Sequence, residues 1–354
     1  MEMKTIMIVF GTRPEVVKLA STIKELYKTL KYRIVLINSE QQKDMTNKLL
    51  DEFNTIPAYS LDIMKKSQSL SYLTSSIITE LDTIIEKESP NLVIVLGDTA
   101  SSFAGTLSAY HHKIPIFHIE SGVRTFDKYN AYPEEGYRRM IDHISDYHTC
   151  QNRTDIDNLR QEGILNAIYT GNASLDLLVD IKNEVPKKKV LITMHRREDW
   201  GKPISDACDA IKELSLLFSD HEFVYVMHPN PILQETVIDK LGNIKNIVLK
   251  QNLGFYDFMN ELKDSKLVMT DSGGLLQEAL FLKKPIVYLR KNSEYTGIFD
   301  EDILIYETGK DYLDIITRAS QILSLSNPTY KPITFFGDGT ASKRIVKKIE
   351  EVLG

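Results

Sequence analysis

Cysteine is almost absent from this chain of 354 residues: only Cys150 and Cys208 occur, with no CxxC spacing. That excludes a disulfide framework and a zinc-thiolate cluster, and leaves both thiols as small apolar residues of a buried core. Long apolar runs are also missing although 42% of the residues are hydrophobic, so the composition is that of a soluble globular protein with no membrane partner. There is no basic excess, because the formal charge is −6. No broad positive surface is left to collect nucleic acid, and any anion site must be local, beside turns and helix starts. A secretory leader is missing too: one lysine precedes the apolar run Thr5-Ile6-Met7-Ile8-Val9-Phe10, with no cleavage site, which predicts a cytoplasmic location. Short-period repeats and low-complexity tracts are absent as well.

What is present is a rhythm. Short β-branched runs (Ile6 to Phe10, Tyr32 to Ile37, Leu92 to Leu96, Ile114 to Ile119) alternate with longer amphipathic stretches such as Val16 to Leu30. Such alternation predicts βαβ units and parallel sheet, an α/β fold. After Thr170-Gly171-Asn172 and the lysine run 187–189 it restarts, with runs beginning at Val190, Phe223, Ile247, Leu267 and Ile286. The chain is too long for one typical domain. The expectation is an N-terminal Rossmann-like domain over 1–172 and a C-terminal one over 173–339, with a linker near 172–188 and a closing helix at about 340–354. Ligands of open parallel sheets sit beyond the C-terminal strand ends, so the residues after each strand are the ones to read.

The first strand runs into Gly11-Thr12-Arg13-Pro14-Glu15. Pro14 suits a helix start, Gly11 permits a tight turn, and Arg13 and Lys18 lie where a helix N-terminus already attracts anions, so a diphosphate and an ordinary βα turn are both open readings. It is neither a Walker A loop nor a GxGxxG fingerprint. Asp98 and Glu120 follow two later strands, and Glu134 and Glu135 precede Arg138 and Arg139. Carboxylates that converge on one pocket can have their pKa values pushed apart, as proton transfer at carbon requires, whereas each taken singly is a cap or ion-pair partner, Glu135 above all. In the second half His195, Arg196, Arg197 and Glu198 follow a strand, without the second histidine of a metalloprotease helix. His228 lies in a His-Pro-Asn-Pro turn that is structural or ligand-binding. Ser272, Gly273 and Gly274 open a helix as a phosphate loop does, and Glu278 is placed to accept from ribose hydroxyls.

In order and spacing these landmarks resemble the non-hydrolysing UDP-N-acetylglucosamine 2-epimerase family: GTRPE at 11–15, GDT at 97–99, HIESGVRT at 118–125, PEEGYRR at 133–139, TGN at 170–172, HRRE at 195–198, HPNP at 228–231, TDSGG at 270–274 and FFGDGTAS at 335–342. The resemblance implies a glycosyltransferase-B-like fold, two Rossmann-like domains facing a cleft, with the last helix returning to the N-terminal domain. It also implies interconversion of UDP-GlcNAc and UDP-ManNAc, by loss of UDP to a 2-acetamidoglucal and its re-addition, with no cofactor or metal. On the matching positions Asp98, Glu120 and Glu134 are the acid/base groups, with His195 a further catalytic candidate. Arg13, Lys18, Arg138, His228, Ser272, Gly273, Gly274 and Glu278 bind the nucleotide. Phe258, expected in a loop before the Leu267 strand, is the candidate to stack on uracil. A homodimer serving polysaccharide biosynthesis is the implied setting.

The chain departs from the family pattern at Gln42, which stands for a histidine in Ser39-Glu40-Gln41-Gln42. Other departures are Ser67, the stretch 293–297, which lacks an arginine and a proline, and Leu276-Gln277 in the glycine-rich turn. Bacterial relatives use the histidine and that arginine to bind a second, activating UDP-sugar, so weak or absent activation is expected, with an altered HexNAc as the other reading. Three further alternatives stand beside the epimerase: a hydrolysing epimerase, a glycosyltransferase of the same fold, and a non-catalytic nucleotide-sugar sensor.

Overall fold

The computed structural model describes residues 3–65, 68–129, 131–181, 186–195, 201–251, 253–290, 298–299, 304–326 and 333–354. Arg196, Arg197, Glu198, Ser67 and 293–297 lie outside them. The chain divides into two compact units, Met1–Leu177 with Phe336–Gly354, and Leu178–Phe335.

In the first unit, strands β1 (Lys4–Phe10), β2 (Tyr32–Asn38), β3 (Tyr59–Ser60), β4 (Leu92–Leu96), β5 (Ile116–Ile119), β6 (Tyr147–Cys150) and β7 (Ala167–Tyr169) form one parallel sheet in the order β3-β2-β1-β4-β5-β6-β7. Helices α1 (Arg13–Thr29), α2 (Lys43–Glu52), α3 (Leu70–Glu88), α4 (Ala100–His111), α5 (Glu134–Ile144) and α6 (Arg153–Gln161) connect them. Met7, Val9, Val93 and Val95 pack with Ile77, Leu81 and Ala104. Ile6, Ile8 and Phe10, which alternate with them, are equally buried. A parallel strand covered on both faces reads as an unbroken apolar run, which is why these strands were visible in the sequence.

The second unit repeats the plan with β8 (Lys189–Thr193), α7 (Lys202–Leu217), β9 (Glu222–Val226), α8 (Pro231–Leu241), β10 (Ile247–Lys250), α9 (Phe255–Asp264), β11 (Leu267–Thr270), α10 (Gly273–Phe281), β12 (Ile286–Tyr288), β13 (Ile305–Glu307) and α11 (Tyr312–Leu323). Its sheet is parallel, in the order β10-β9-β8-β11-β12-β13.

The last helix, α12 (Ala341–Leu353), belongs to the first unit and packs against α1. The Asp176 carboxylate caps its start, accepting from the amides of Ala341 at 2.9 Å and Ser342 at 2.7 Å. Gly171 and Gly337 lie against one another, where a Cβ on Gly171 would meet the Gly337 Cα at 3.0 Å, and the Asn172 amide donates to the Phe336 carbonyl at 2.7 Å. The two glycine motifs around 171 and 337 are thus one joint.

Both cysteines are fully buried, and burial pushes their thiols up, that of Cys208 to about 12. No described helix is long and apolar enough to cross a membrane.

Candidate active site

In the first unit the site begins where β1, β4 and β5 end side by side. Gly97 has φ of +68°, so it leaves β4 in the left-handed region that glycine tolerates. Its amide still donates to the Ile119 carbonyl at 2.9 Å. The residue before Asp98 is thereby tied to the residue before Glu120, and the two carboxylates leave neighbouring strands in fixed register. Glu120 itself has φ of +66°. That is a costly backbone for a residue with a Cβ, of the kind that surrounding structure must impose.

Each acid has its own cation. Lys18 Nζ lies 2.6 and 2.5 Å from the two Glu120 oxygens. Arg138 donates from Nε to Asp98 Oδ2 at 2.9 Å, with a second bond from Nη2. Lys18 and Arg138 are therefore ion-paired, whereas the Arg13 guanidinium has no ion-pair partner among the described residues. Glu134 is the first residue of α5 and half-buried, one turn before Arg138. Glu135 is fully buried and accepts from the Thr125 amide at 2.9 Å, the Phe126 amide at 3.2 Å and Arg139 Nε at 3.1 Å. Of the two roles expected of it, cap or ion-pair partner, it has the second: it pairs with Arg138 and Arg139, and the amides it binds belong to the preceding loop and not to its own helix.

Glu15 escaped the sequence reading. Its buried carboxylate receives the amides of Gly11 at 3.0 Å and Thr12 at 2.8 Å, and the hydroxyls of Thr12, Thr99 and Ser102 at 2.7, 2.8 and 2.8 Å. The loop carrying Arg13 and the loop carrying Asp98 are bolted together through it. Burial raises its pKa, against the lowering effect of the bonds from the Thr12, Thr99 and Ser102 hydroxyls and the Gly11 amide. The signal was the Thr-x-x-Glu capping box at the start of α1. Gly11 is needed for close approach and not for a left-handed turn: a Cβ there would collide with Ser39 Oγ and Ser101 Oγ. Gln42 accepts from the Arg13 amide at 2.9 Å, filling one of the free N–H positions at the start of α1.

The second unit assembles a separate group. Asp271, fully buried after β11, accepts from His195 Nδ1 at 2.9 Å and from the His195 amide at 3.1 Å, and Lys310 Nζ lies 3.3 Å away. Burial alone would raise the Asp271 carboxyl, but the pairing with His195 and Lys310 outweighs it and holds the value at about 2. With Nδ1 engaged, Nε2 is the nitrogen His195 can present to a ligand. The His228 ring stacks on it at 6.2 Å and 21°, and its Nδ1 accepts from the Asn230 amide at 3.2 Å. Ser272 caps α10, and a Cβ on Gly274 would meet nothing nearer than Ser272 Oγ at 4.0 Å. Among the described residues no neighbour demands that glycine. Glu278 lies half-buried further along α10. Phe258 is not in a loop: it is the fourth residue of α9, because Phe255, Met259 and Leu262 bury at helical spacing and carry it with them.

The family model for UDP-N-acetylglucosamine 2-epimerase matches residues 24–350. The chain belongs to the UDP-N-acetylglucosamine 2-epimerase family. The Bacillus subtilis UDP-N-acetylglucosamine 2-epimerase is 34% identical, over 97% of this chain and 94% of its own length. The Neisseria meningitidis UDP-GlcNAc 2-epimerase, solved with UDP-GlcNAc bound, is 30% identical, superposes with a TM-score of 0.86 and covers 99% of this chain and 100% of its own. A lipopolysaccharide outer core galactosyltransferase, at 13% identity and a TM-score of 0.58, shares the fold alone, which places this 2-epimerase family member in the glycosyltransferase-B-like class. The enzyme class of the family is isomerase.

Proposed function

We infer that the protein interconverts UDP-GlcNAc and UDP-ManNAc by anti elimination and re-addition of UDP. A carboxylate removes the C2 proton as the C1–O bond breaks and UDP departs. The neutral glucal is then protonated at C2 on the opposite face, and UDP re-adds at C1. Two faces require two acid/base positions, and the reading rests on one observation: Asp98 and Glu120 end adjacent strands, register-locked through the Gly97–Ile119 hydrogen bond, each beside its own cation. Glu134, at the start of the helix that bears Arg138, is the third carboxylate of the set. Lys18 and Arg138 balance the acids and offer positive charge to the diphosphate, with Arg13 as the cation left for it. His195, held by Asp271, is assigned to the leaving UDP or the uracil side. Ser272 and the amides of Gly273 and Gly274 take phosphate, Glu278 the ribose, and His228 and Phe258 the base. A homodimer in the cytoplasm is part of the same proposal.

The test is incubation with UDP-GlcNAc in deuterated water, followed by NMR. The expected product is a mixture of two UDP-sugars, both deuterated at C2. Free sugar plus UDP would assign a hydrolysing epimerase, and the absence of exchange would leave a transferase or sensor. In the D98N, E120Q and E134Q variants, exchange should fall by about 10²–10⁴.

A further inference from the structure

Helix α5 carries Glu134, Arg138 and Asp142 at intervals of four residues, which puts them along one face. Arg138 reaches Asp98 directly. Asp142, fully buried two turns after Glu134, has no role in the chemistry above, yet its two oxygens hold both catalytic loops. Oδ1 lies 2.7 Å from His118 Nδ1, and Oδ2 accepts from the Gly122 amide, two residues beyond Glu120, at 3.2 Å. His118 passes the connection on: its Nε2 lies 2.8 Å from the Gly97 carbonyl, the carbonyl of the peptide bond to Asp98. His118 is fully buried on β5, paired in register with Val95. A carbonyl oxygen only accepts, so Nε2 donates to it. Because Gly97 has turned into the left-handed region, His118 holds in place a carbonyl that has left the regular strand conformation. Behind the pair, Arg124 Nη1 lies 2.8 Å from Asp142 Oδ2, and Arg124 binds Glu162 at 2.9 and 2.6 Å. Burial alone would raise the Asp142 carboxyl, but His118 and Arg124 outweigh it and hold the value at about 2, so Asp142 stays an ionised acceptor.

We propose that His118 and Asp142 are positioning residues of the epimerase: His118 fixes the peptide plane that aims Asp98, and Asp142 locks it to the Glu120 loop and to the helix bearing Glu134. The inference rests on Asp98 and Glu120 acting as the acid/base groups. Neither His118 nor Asp142 touches substrate in this scheme. Their effect is on the placement of the acids, where a displacement of about 1 Å can cost on the order of 10² in rate.

Two variants of the full chain separate the hydrogen bonds of the ring. In H118N the amide nitrogen stands near the position of Nδ1, keeping the Asp142 bond and losing the Gly97 bond, while in H118Q it stands near Nε2 and does the reverse. Steady-state kinetics with UDP-GlcNAc, normalised to the folded fraction from circular dichroism, should show kcat of H118N down at least tenfold, with KM within threefold of wild type. H118Q should stay within fivefold in kcat. A core residue with no positioning role would lower stability in both variants without this order, so a smaller fall in H118N, or an equal fall in both, overturns the proposal. If H118N does not fold, D142N decides: kcat down at least tenfold with KM within threefold of wild type upholds the proposal, and a smaller fall overturns it. D98N is run alongside. Full activity in D98N would remove the assignment of Asp98 itself, whereas an inactive D98N beside a fully active H118N would remove only the positioning claim.

Discussion

Replacing Glu15 separates its two duties. In E15A the amides of Gly11 and Thr12, which donate to one carboxylate oxygen at 3.0 and 2.8 Å, lose their acceptor in a buried place. The hydroxyls can turn elsewhere: the Leu96 carbonyl lies 2.6 Å from Ser102 Oγ and can take its proton. Two stranded backbone donors at about 1–3 kcal/mol each, eased by water entering the space vacated, give an expected loss of about 3 kcal/mol in unfolding free energy. E15Q keeps an acceptor for both amides and turns its amide nitrogen toward the oxygens of Thr99 and Ser102, so it should cost about 1 kcal/mol. The sign of the pH effect follows from the raised pKa of Glu15. Its contribution favours the fold below the ordinary carboxylate range and is lost as pH rises through the raised folded value, so E15Q should be less pH-dependent than wild type. Urea denaturation of the three proteins across that range is the assay. If E15A loses under about 1 kcal/mol, or E15Q loses as much as E15A, Glu15 is not the bolt between the two loops.

Asp155, buried at the start of α6, has its carboxyl pushed up to about 7 by burial first and by the neighbouring Glu120 charge second. Its stabilising contribution is present while it is protonated and is lost as pH rises through about 7, so D155N should melt higher than wild type at about pH 8.5 and no higher at about pH 5. Identical melting differences at both values would discard that account. Asp271 behaves oppositely: its contribution is present above the ordinary carboxylate value and is lost as pH falls through about 2, so D271N should flatten the acid limb of unfolding. D271N should also weaken UDP binding severalfold in calorimetry, and unaltered affinity would separate His195 from the nucleotide. Gln42, whose side chain accepts from the Arg13 amide at the start of α1 and stands where the family resemblance led us to expect a histidine, predicts epimerisation of UDP-ManNAc without added UDP-GlcNAc. A strict requirement for the added sugar would refute this.

The strands buried on both faces were readable because nothing polar interrupts them. β6 was not, since Tyr147, His148 and Thr149 look like a polar stretch, and only the fold shows that His148 and Thr149 are buried. β3 and β13 are too short to carry a period. Asp98 and Glu120 were found because a carboxylate directly after an apolar run is conspicuous. Their partners Lys18 and Arg138 could be named but not assigned, because the pairing joins residues 102 and 40 positions apart. Glu15, Asp142 and Asp155 each look like ordinary helix residues, and what distinguishes them is how closely distant segments crowd around them. Phe258 was misplaced because a helix of ten residues with three buried positions is barely longer than a loop.

The return of α12 to the first unit has a consequence for synthesis. On the ribosome, residues 1–177 emerge before the second unit, but the apolar stripe of Ile345, Val346, Ile349 and Leu353 that packs with them emerges after it, and the Lys4 ammonium bonds the carbonyl of Leu353. At about 5–20 residues per second, the earlier-made half waits many seconds for its final helix, while the later-made half, continuous in sequence, has all its parts sooner. The nascent N-terminal sheet therefore stands with its α1 flank uncovered throughout that interval, and premature termination anywhere in the second half leaves that flank permanently open to chaperones and proteases.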